Sequence, residues 1–302
     1  MKLPHPIPYQ GSKRKLARTI AEFVPDGIST FYEPFAGSAA MTVYAAHHKL
    51  ARRFVVADTL EPIVRLLEAI VAKPDHTAAR YRAVWEGQMS ADLTYFNVVR
   101  DRFNTDEDPV DLLYLVCRCV KNAVRFNSKG RFTQSVDKRR LGMRPDKMIE
   151  AIRGVSYILG DRVEFRVGDW RDTTSDARSD DFLYMDPPYL GTSIGRDKRY
   201  HQQLTQEALI DGLTDLNMRK VRYALSYDGW TGAKEYGPPL PDHLRLTRLL
   251  LNAGVSSQST LSGRKEETIE SLYMSQGLAS PVTHVIPTVK KSQPSLLLEP
   301  IC

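Results

Sequence analysis

The sequence predicts an α/β fold, a doubly wound parallel sheet interrupted by a mainly helical insertion. Three observations carry this. Two strand–helix units follow one another near the start of the chain, a long helical stretch then breaks the alternation, and strand signals resume beyond it.

Residues 29–32 are a short β-prone run entering Glu33-Pro34-Phe35-Ala36-Gly37-Ser38-Ala39-Ala40, after which small and apolar residues continue to Ala46. That reads as strand, glycine turn, helix. Arg53-Phe54-Val55-Val56-Ala57-Asp58 reads as a second strand ending on an acid, and residues 62–71 as a helix opened by a proline. From about residue 74 to 153 helical segments take over, clearest at 78–88 and 110–124, followed by a polar, basic loop. Strand signals return at 162–167, 182–185 and 221–226. Residues 1–72 and 154–279 are therefore expected to form one discontinuous sheet domain, with 73–153 inserted. Residues 280–302, rich in proline, serine and lysine, are expected to be an extended tail.

A chain of 302 residues has room for one sizeable core with a smaller unit appended. No stretch approaches the roughly 20 apolar residues that span a bilayer, and residues 1–8 lack the apolar run of a secretory signal. A cytoplasmic location without a membrane partner is expected. The three cysteines, Cys117, Cys119 and Cys302, read as reduced thiols. No cysteine or histidine pair stands at metal-ligand spacing, so no metal is expected. The net charge is +6, but its distribution says more. Arg118, Lys121, Arg125, Lys129, Arg131, Lys138, Arg139, Arg140, Arg144 and Lys147 are opposed in their segment only by Asp137 and Asp146. The remainder of the chain is slightly acidic, so a basic surface suited to a polyanion is concentrated in the insertion.

Two strand ends carry the candidate chemistry. Asp58 lies 21 residues beyond Gly37, where an acid can hydrogen-bond a ribose hydroxyl while the glycine turn lets backbone approach the ligand. Leu183-Tyr184-Met185 leads into Asp186-Pro187-Pro188-Tyr189. The two prolines stiffen the turn, fixing a carboxylate, backbone carbonyls and an aromatic face in one place. Ionised Asp186 and the Pro187 carbonyl can each accept a hydrogen bond from an aromatic NH₂, while Tyr189 stacks on the ring that carries it. Two such acceptors shift a delocalised amine toward sp³ and aim its lone pair at an electrophile, which is catalysis by positioning and electrostatics.

These motifs, with Pro8-Tyr9-Gln10-Gly11-Ser12-Lys13 before them, resemble the Dam-type (alpha) group of DNA adenine-specific methyltransferases over about residues 6–278. The resemblance implies a Rossmann-like methyltransferase sheet with an inserted target-recognition domain, S-adenosyl-L-methionine as cofactor, and adenine in double-stranded DNA as substrate. Tyr9 would pack on the cofactor and Lys13 contact its carboxylate end. Phe35, Gly37 and Ser38 belong to the matching glycine turn, in which Ala39 replaces the family's usual second glycine; Asp58 matches the ribose acid. Asp169 would meet the cofactor's adenine amine and Trp170 stack on its ring, with Asp186 adjoining both cofactor and target. Residues 122–132 resemble the DNA-contacting element, implicating Asn122, Arg125, Asn127, Lys129 and Arg131, with Lys138 and Arg139 beside them; Phe126 or Phe132 could fill the space of a displaced base. Because an amine inside a duplex is out of reach, such an enzyme flips its base. Residues 191–201 read as a loop closing over it, and residues 259–270 as an element for DNA-backbone contact or packing.

The residues leave alternatives open. An exocyclic amine in RNA, or on cytosine, would suit the same two acceptors, and a catalytically idle DNA-binding protein could keep the fold. The resemblance also implies a monomer or weak dimer of bacterial or phage origin, and leaves room for a companion restriction endonuclease acting separately.

Overall fold

The computed structural model describes residues 3–91, 94–188, 204–231, 234–255 and 267–278. Its strands are β1 (Ile28–Glu33), β2 (Ala51–Asp58), β3 (Val163–Val167), β4 (Phe182–Met185), β5 (Arg222–Thr231), β6 (Lys234–Tyr236), β7 (Thr247–Val255) and β8 (Glu267–Met274). They form one sheet of order β3-β2-β1-β4-β5-β8-β7, with β6 paired to β5. β3 to β5 are parallel along this path, whereas β8 runs antiparallel to both β5 and β7.

The chain steps outward from β1 through β2 to β3, then returns to β4 and steps the other way. The carboxyl ends of β1 and β4 thus flank a topological switch point, where open α/β sheets bind ligands. The faces follow from the period-2 alternation of side chains. Phe31, Phe54, Val56, Phe182, Tyr184 and Ala224 lie in the larger core cluster. Their neighbours Tyr32, Val55, Leu183, Met185, Tyr223 and Leu225 lie in the other.

The larger cluster is covered by helices α1 (Ala17–Ala21), α2 (Ala40–His47), α3 (Glu61–Ala72), α4 (Pro74–Gly87), α5 (Tyr95–Asp106), α6 (Pro109–Arg118) and α7 (Pro145–Leu159). The smaller is covered by α8 (Trp170–Thr173) and α9 (Gln206–Met218). Proline in the first turn opens α3, α4, α6 and α7, where its missing N–H costs nothing. Asp108 additionally caps α6, accepting from the N–H groups of Val110 and Asp111. Among the described residues, no helix is long and apolar enough to cross a membrane.

Two expectations change here. The helix expected over 110–124 stops at Arg118, because Cys119 is extended and Lys121 and Asn122 are left-handed, at φ 61° and 51°. Asn122 fastens the break by donating its side-chain amide to the Val116 carbonyl, 2.9 Å away. The boundary drawn at residue 153 falls inside α7, whose Met148, Ile152, Val155 and Leu159 share one hydrophobic cluster with β1, β2 and β4. The expected tail, 280–302, lies outside the described residues.

Candidate active site and nucleic-acid interface

The turn after β1 is built by acids that bond backbone. Asp58, at the end of β2, is buried; its Oδ2 accepts from the Gly37 N–H at 3.0 Å and its Oδ1 from the Leu60 N–H at 2.9 Å. Burial raises the Asp58 pKa, and the N–H groups of Gly37, Leu60 and Thr59 oppose that rise. The Ala36 N–H donates to the Ala57 carbonyl, tying the turn to β2 a second time. Gly37 has φ 49°, and a Cβ there would stand 2.9 Å from Cε1 of Tyr9, so the tyrosine ring lies directly on the glycine. Ser38 donates from its hydroxyl to that of Ser12 at 3.2 Å, binding the same N-terminal segment to the turn.

Ala39, where the family pattern has a glycine, is fully buried and left-handed at φ 52°, ψ 39°. As N-cap of α2 it has no side chain to offer, and Glu33 does the capping from β1. The Glu33 carboxylate accepts from the N–H groups of Met41 and Thr42 at 3.3 and 2.7 Å and from the Thr42 hydroxyl. Burial pushes its pKa up to about 7 against these donors.

Asp186 lies immediately beyond β4, across the switch point. Its Oδ1 is 2.7 Å from the ammonium of Lys13, which is only 7% exposed and lies 3.5 Å from Oε2 of Glu270 on β8. Burial pushes Asp186 up to about 6; Lys13 lowers it and Glu270 raises it. Beneath, the Tyr184 hydroxyl hydrogen-bonds that of Ser226 at 2.9 Å. Pro187 and Pro188 continue the turn, and Tyr189 and the expected closing loop at 191–201 lie outside the described residues.

The third strand end contributes Asp169, which caps α8 by accepting from the Arg171 N–H and pairs with the Arg171 guanidinium at 2.9 Å. Gly168 donates its N–H to the Asp58 carbonyl, so the ends of β2 and β3 are joined. The expectation that Trp170 stacks on a ligand ring needs correction. Its indole is 2% exposed and packs on α9, where a Cβ on Gly212 would stand 2.4 Å from the ring. Phe35, half-buried with its centroid 6.1 Å from that of Trp170, presents the accessible aromatic face.

The basic element forms its own unit. Phe126 and Phe132 bridge in antiparallel fashion, and the Asn127 side chain accepts from the N–H groups of Lys129 and Arg131, closing a tight turn with Gly130 at φ 70°. Asn127, Ser128, Lys129 and Arg131 are exposed at its tip. The two phenylalanines are not poised to replace a base: both are buried against Phe103 of α5. Asn104 of α5 grips the Phe132 backbone from both sides, donating to its carbonyl and accepting from its N–H at 3.1 and 2.7 Å. Asn122 accepts from Arg140, while Arg139 and Arg140 share Asp137, whose acidity they increase. Lys138 is exposed and Arg125 half-buried; Arg118 is buried and contributes nothing to a basic surface.

Tyr9, Lys13, Gly37, Ser38, Asp58 and Asp186 are thus brought together at the switch point. The sequence reading missed Glu33 and Glu270 as site-building acids. Glu33 could have been found as an acid closing a buried strand shortly before an uncapped helix.

Residues 9–263 match the family described as D12 class N6 adenine-specific DNA methyltransferase. The chain is 24% identical to Type II methyltransferase M.FokI of Planomicrobium okeanokoites over 231 residues, 73% of this chain and 35% of that protein. It is 25% identical to Modification methylase StsI of Streptococcus sanguinis and 27% identical to Modification methylase LlaI of Lactococcus lactis subsp. lactis, again over 73% of this chain. It spans about a third of the length of these relatives, 35% and 36% for the latter two. With that match running from Tyr9 through the turn after β1 and the Asp186 motif, the chain belongs to the D12 class of N6 adenine-specific DNA methyltransferases.

Proposed function

We propose that this protein transfers a methyl group from S-adenosyl-L-methionine to the exocyclic amine of adenine in duplex DNA. The observation that carries the proposal is Asp186, a half-buried carboxylate held by Lys13 at the switch point, across from the Gly37–Asp58 turn. The residues present fit the cofactor. The Asp58 carboxylate has about four lone-pair sites, and the three backbone N–H groups of Gly37, Leu60 and Thr59 leave one for a ribose hydroxyl, while Phe35 offers a ring face for the adenine.

When bound, S-adenosyl-L-methionine supplies a methyl activated by its sulfonium charge. The chain's part is to hold the amine. Lys13 occupies one oxygen of Asp186 and keeps the group ionised at neutral pH, leaving the other to accept from the target NH₂, with the Pro187 carbonyl as second acceptor. Tyr189 stacks on the base. Lys129 and Arg131 at the hairpin tip, with Asn122, Arg125, Asn127, Lys138 and Arg139, hold the DNA, and the base is flipped to reach Asp186. A DNA substrate goes with a cytoplasmic address, and the relatives' names go with protection against a companion endonuclease. The protein acts as a monomer or weak dimer.

The test is incubation with labelled cofactor and plasmid DNA, then nucleoside analysis, with RNA in parallel. N6-methyladenine from the wild type and none from Asp186→Ala is the expected result. Label in cytosine or in RNA overturns the substrate, and full turnover by Asp186→Ala overturns the mechanism.

A further inference from the structure

Glu270 belongs to a segment that the sequence assigned to DNA-backbone contact or packing, yet β8 carries it to the catalytic corner. Glu270 pairs in register with Gly229 of β5 and Leu251 of β7. The strands approach closely there: a Cβ on Gly229 would meet the Ile269 carbonyl oxygen at 2.1 Å. The side chain of Glu270 is 16% exposed, and its Oε2 is buried without a hydrogen-bond partner, 3.5 Å from the Lys13 ammonium. Lys13 therefore stands between two carboxylates, Asp186 on one side and Glu270 on the other.

One ammonium between two carboxylates leaves a surplus of one negative charge. Among the described residues, the other groups around it do not cancel that surplus. The Tyr184 hydroxyl is kept neutral by burial, and Glu33, a carboxyl that feels the charge of Asp186, is committed to the start of α2. A buried carboxylate short of donors is unfavourable unless a cation arrives to compensate it. A methyl donor of the sulfonium class is such a cation, whereas the thioether left after transfer is neutral.

We propose that Glu270 is a positioning and selectivity residue: through Lys13 it supplies the surplus negative charge by which the site prefers the cationic methyl donor over its neutral thioether product. The inference rests on the functional reading above. It gives this strand acid a role in binding the donor and releasing the product, distinct from the acceptor role of Asp186.

Calorimetric titration of the full chain with S-adenosyl-L-methionine and with S-adenosyl-L-homocysteine tests it without relying on turnover. The wild type should bind the sulfonium more tightly than the thioether. In Glu270→Gln that preference should fall at least tenfold, since one charge within about 12 Å is worth that much or more at an effective dielectric of about 20, while thioether affinity changes by less than about threefold. Glu270→Asp should keep most of the preference. Should the glutamine variant fail to melt cooperatively, Glu270→Ser removes the charge without adding an amide. An unchanged ratio, or an equal loss for both ligands, overturns the inference and leaves the functional reading standing. A wild type that binds neither ligand and methylates nothing overturns the functional reading itself.

Discussion

The ring of Tyr9 rests on Gly37 with no space for a side chain between them, a Cβ being only 2.9 Å from the ring. Gly37→Ala therefore meets two obstacles, the left-handed φ of 49°, worth about 1–2 kcal/mol for an L residue, and the ring itself. We expect thermal melts to show a loss of that order, and titration to show at least tenfold weaker binding of S-adenosyl-L-methionine. Adding Tyr9→Ala should recover part of the stability, because it clears the space but not the backbone strain, and none of the cofactor affinity.

Glu33 predicts a pH signature in stability. Its pKa is pushed from the ordinary carboxylate range up to about 7, so folding favours its protonated form. The stability it contributes is complete below about pH 4.5 and is lost as pH rises through 7. Glu33→Gln keeps an acceptor for the start of α2 and should flatten this slope in denaturant titrations at successive pH values. Glu33→Ala leaves the N–H groups of Met41 and Thr42 and the Thr42 hydroxyl unpaired and should cost about 2–4 kcal/mol at low pH, the difference from the wild type narrowing as pH rises through 7.

Asp186 opposes function to stability. With its pKa pushed up to about 6, ionisation works against the fold, by about 2–3 kcal/mol once pH has risen from 4 past 6. Only the ionised form accepts both from Lys13 and from an amine. Methylation should accordingly fall as pH drops through about 6 while this part of the stability increases. Asp186→Asn should remove that part of the stability slope, and single-turnover rates across pH 5–8 should show the loss of activity.

In the basic hairpin, we expect anchoring and DNA contact to fall to different residues. Asn104→Ala removes both hydrogen bonds to Phe132 and should lower stability by about 1–2 kcal/mol, weakening DNA binding with little change in its salt dependence. Lys129→Ala and Arg131→Ala should leave the melt unchanged and each reduce the slope of log affinity against log salt by about one. An unaltered slope in both would remove the hairpin tip from the DNA interface.

What the sequence revealed was set by how local the determining interaction is. β4 was read to the residue, 182–185, because an all-apolar run ending at Asp-Pro-Pro leaves little choice. Asp58 and Asp186 were legible as acids at strand ends. The overlong helix at 110–124 was not correctable from pattern, since a lysine at φ 61° violates local preference and is held by the Asn122 bond to Val116. Phe126 and Phe132 sit in a basic, polar run that reads as surface; what buries them is Phe103 and Asn104, more than 20 residues upstream. Glu270 was hidden for the same reason, since its meaning depends on Lys13, a partner brought to it only by the assembled sheet.

The position of β8 has a consequence for how the protein is made. Although it is the last described strand in the chain, it lies inside the sheet, and β7 reaches β5 only through it. β7 cannot join without β8, so it docks either with β8 as a hairpin or after it. Until the ribosome has delivered both, β5 presents bare backbone along its length, an open edge of the kind that seeds aggregation. Slow translation beyond Thr231, or truncation before Met274, should send the protein to inclusion bodies or chaperones, whereas the same delay before β1 should be harmless.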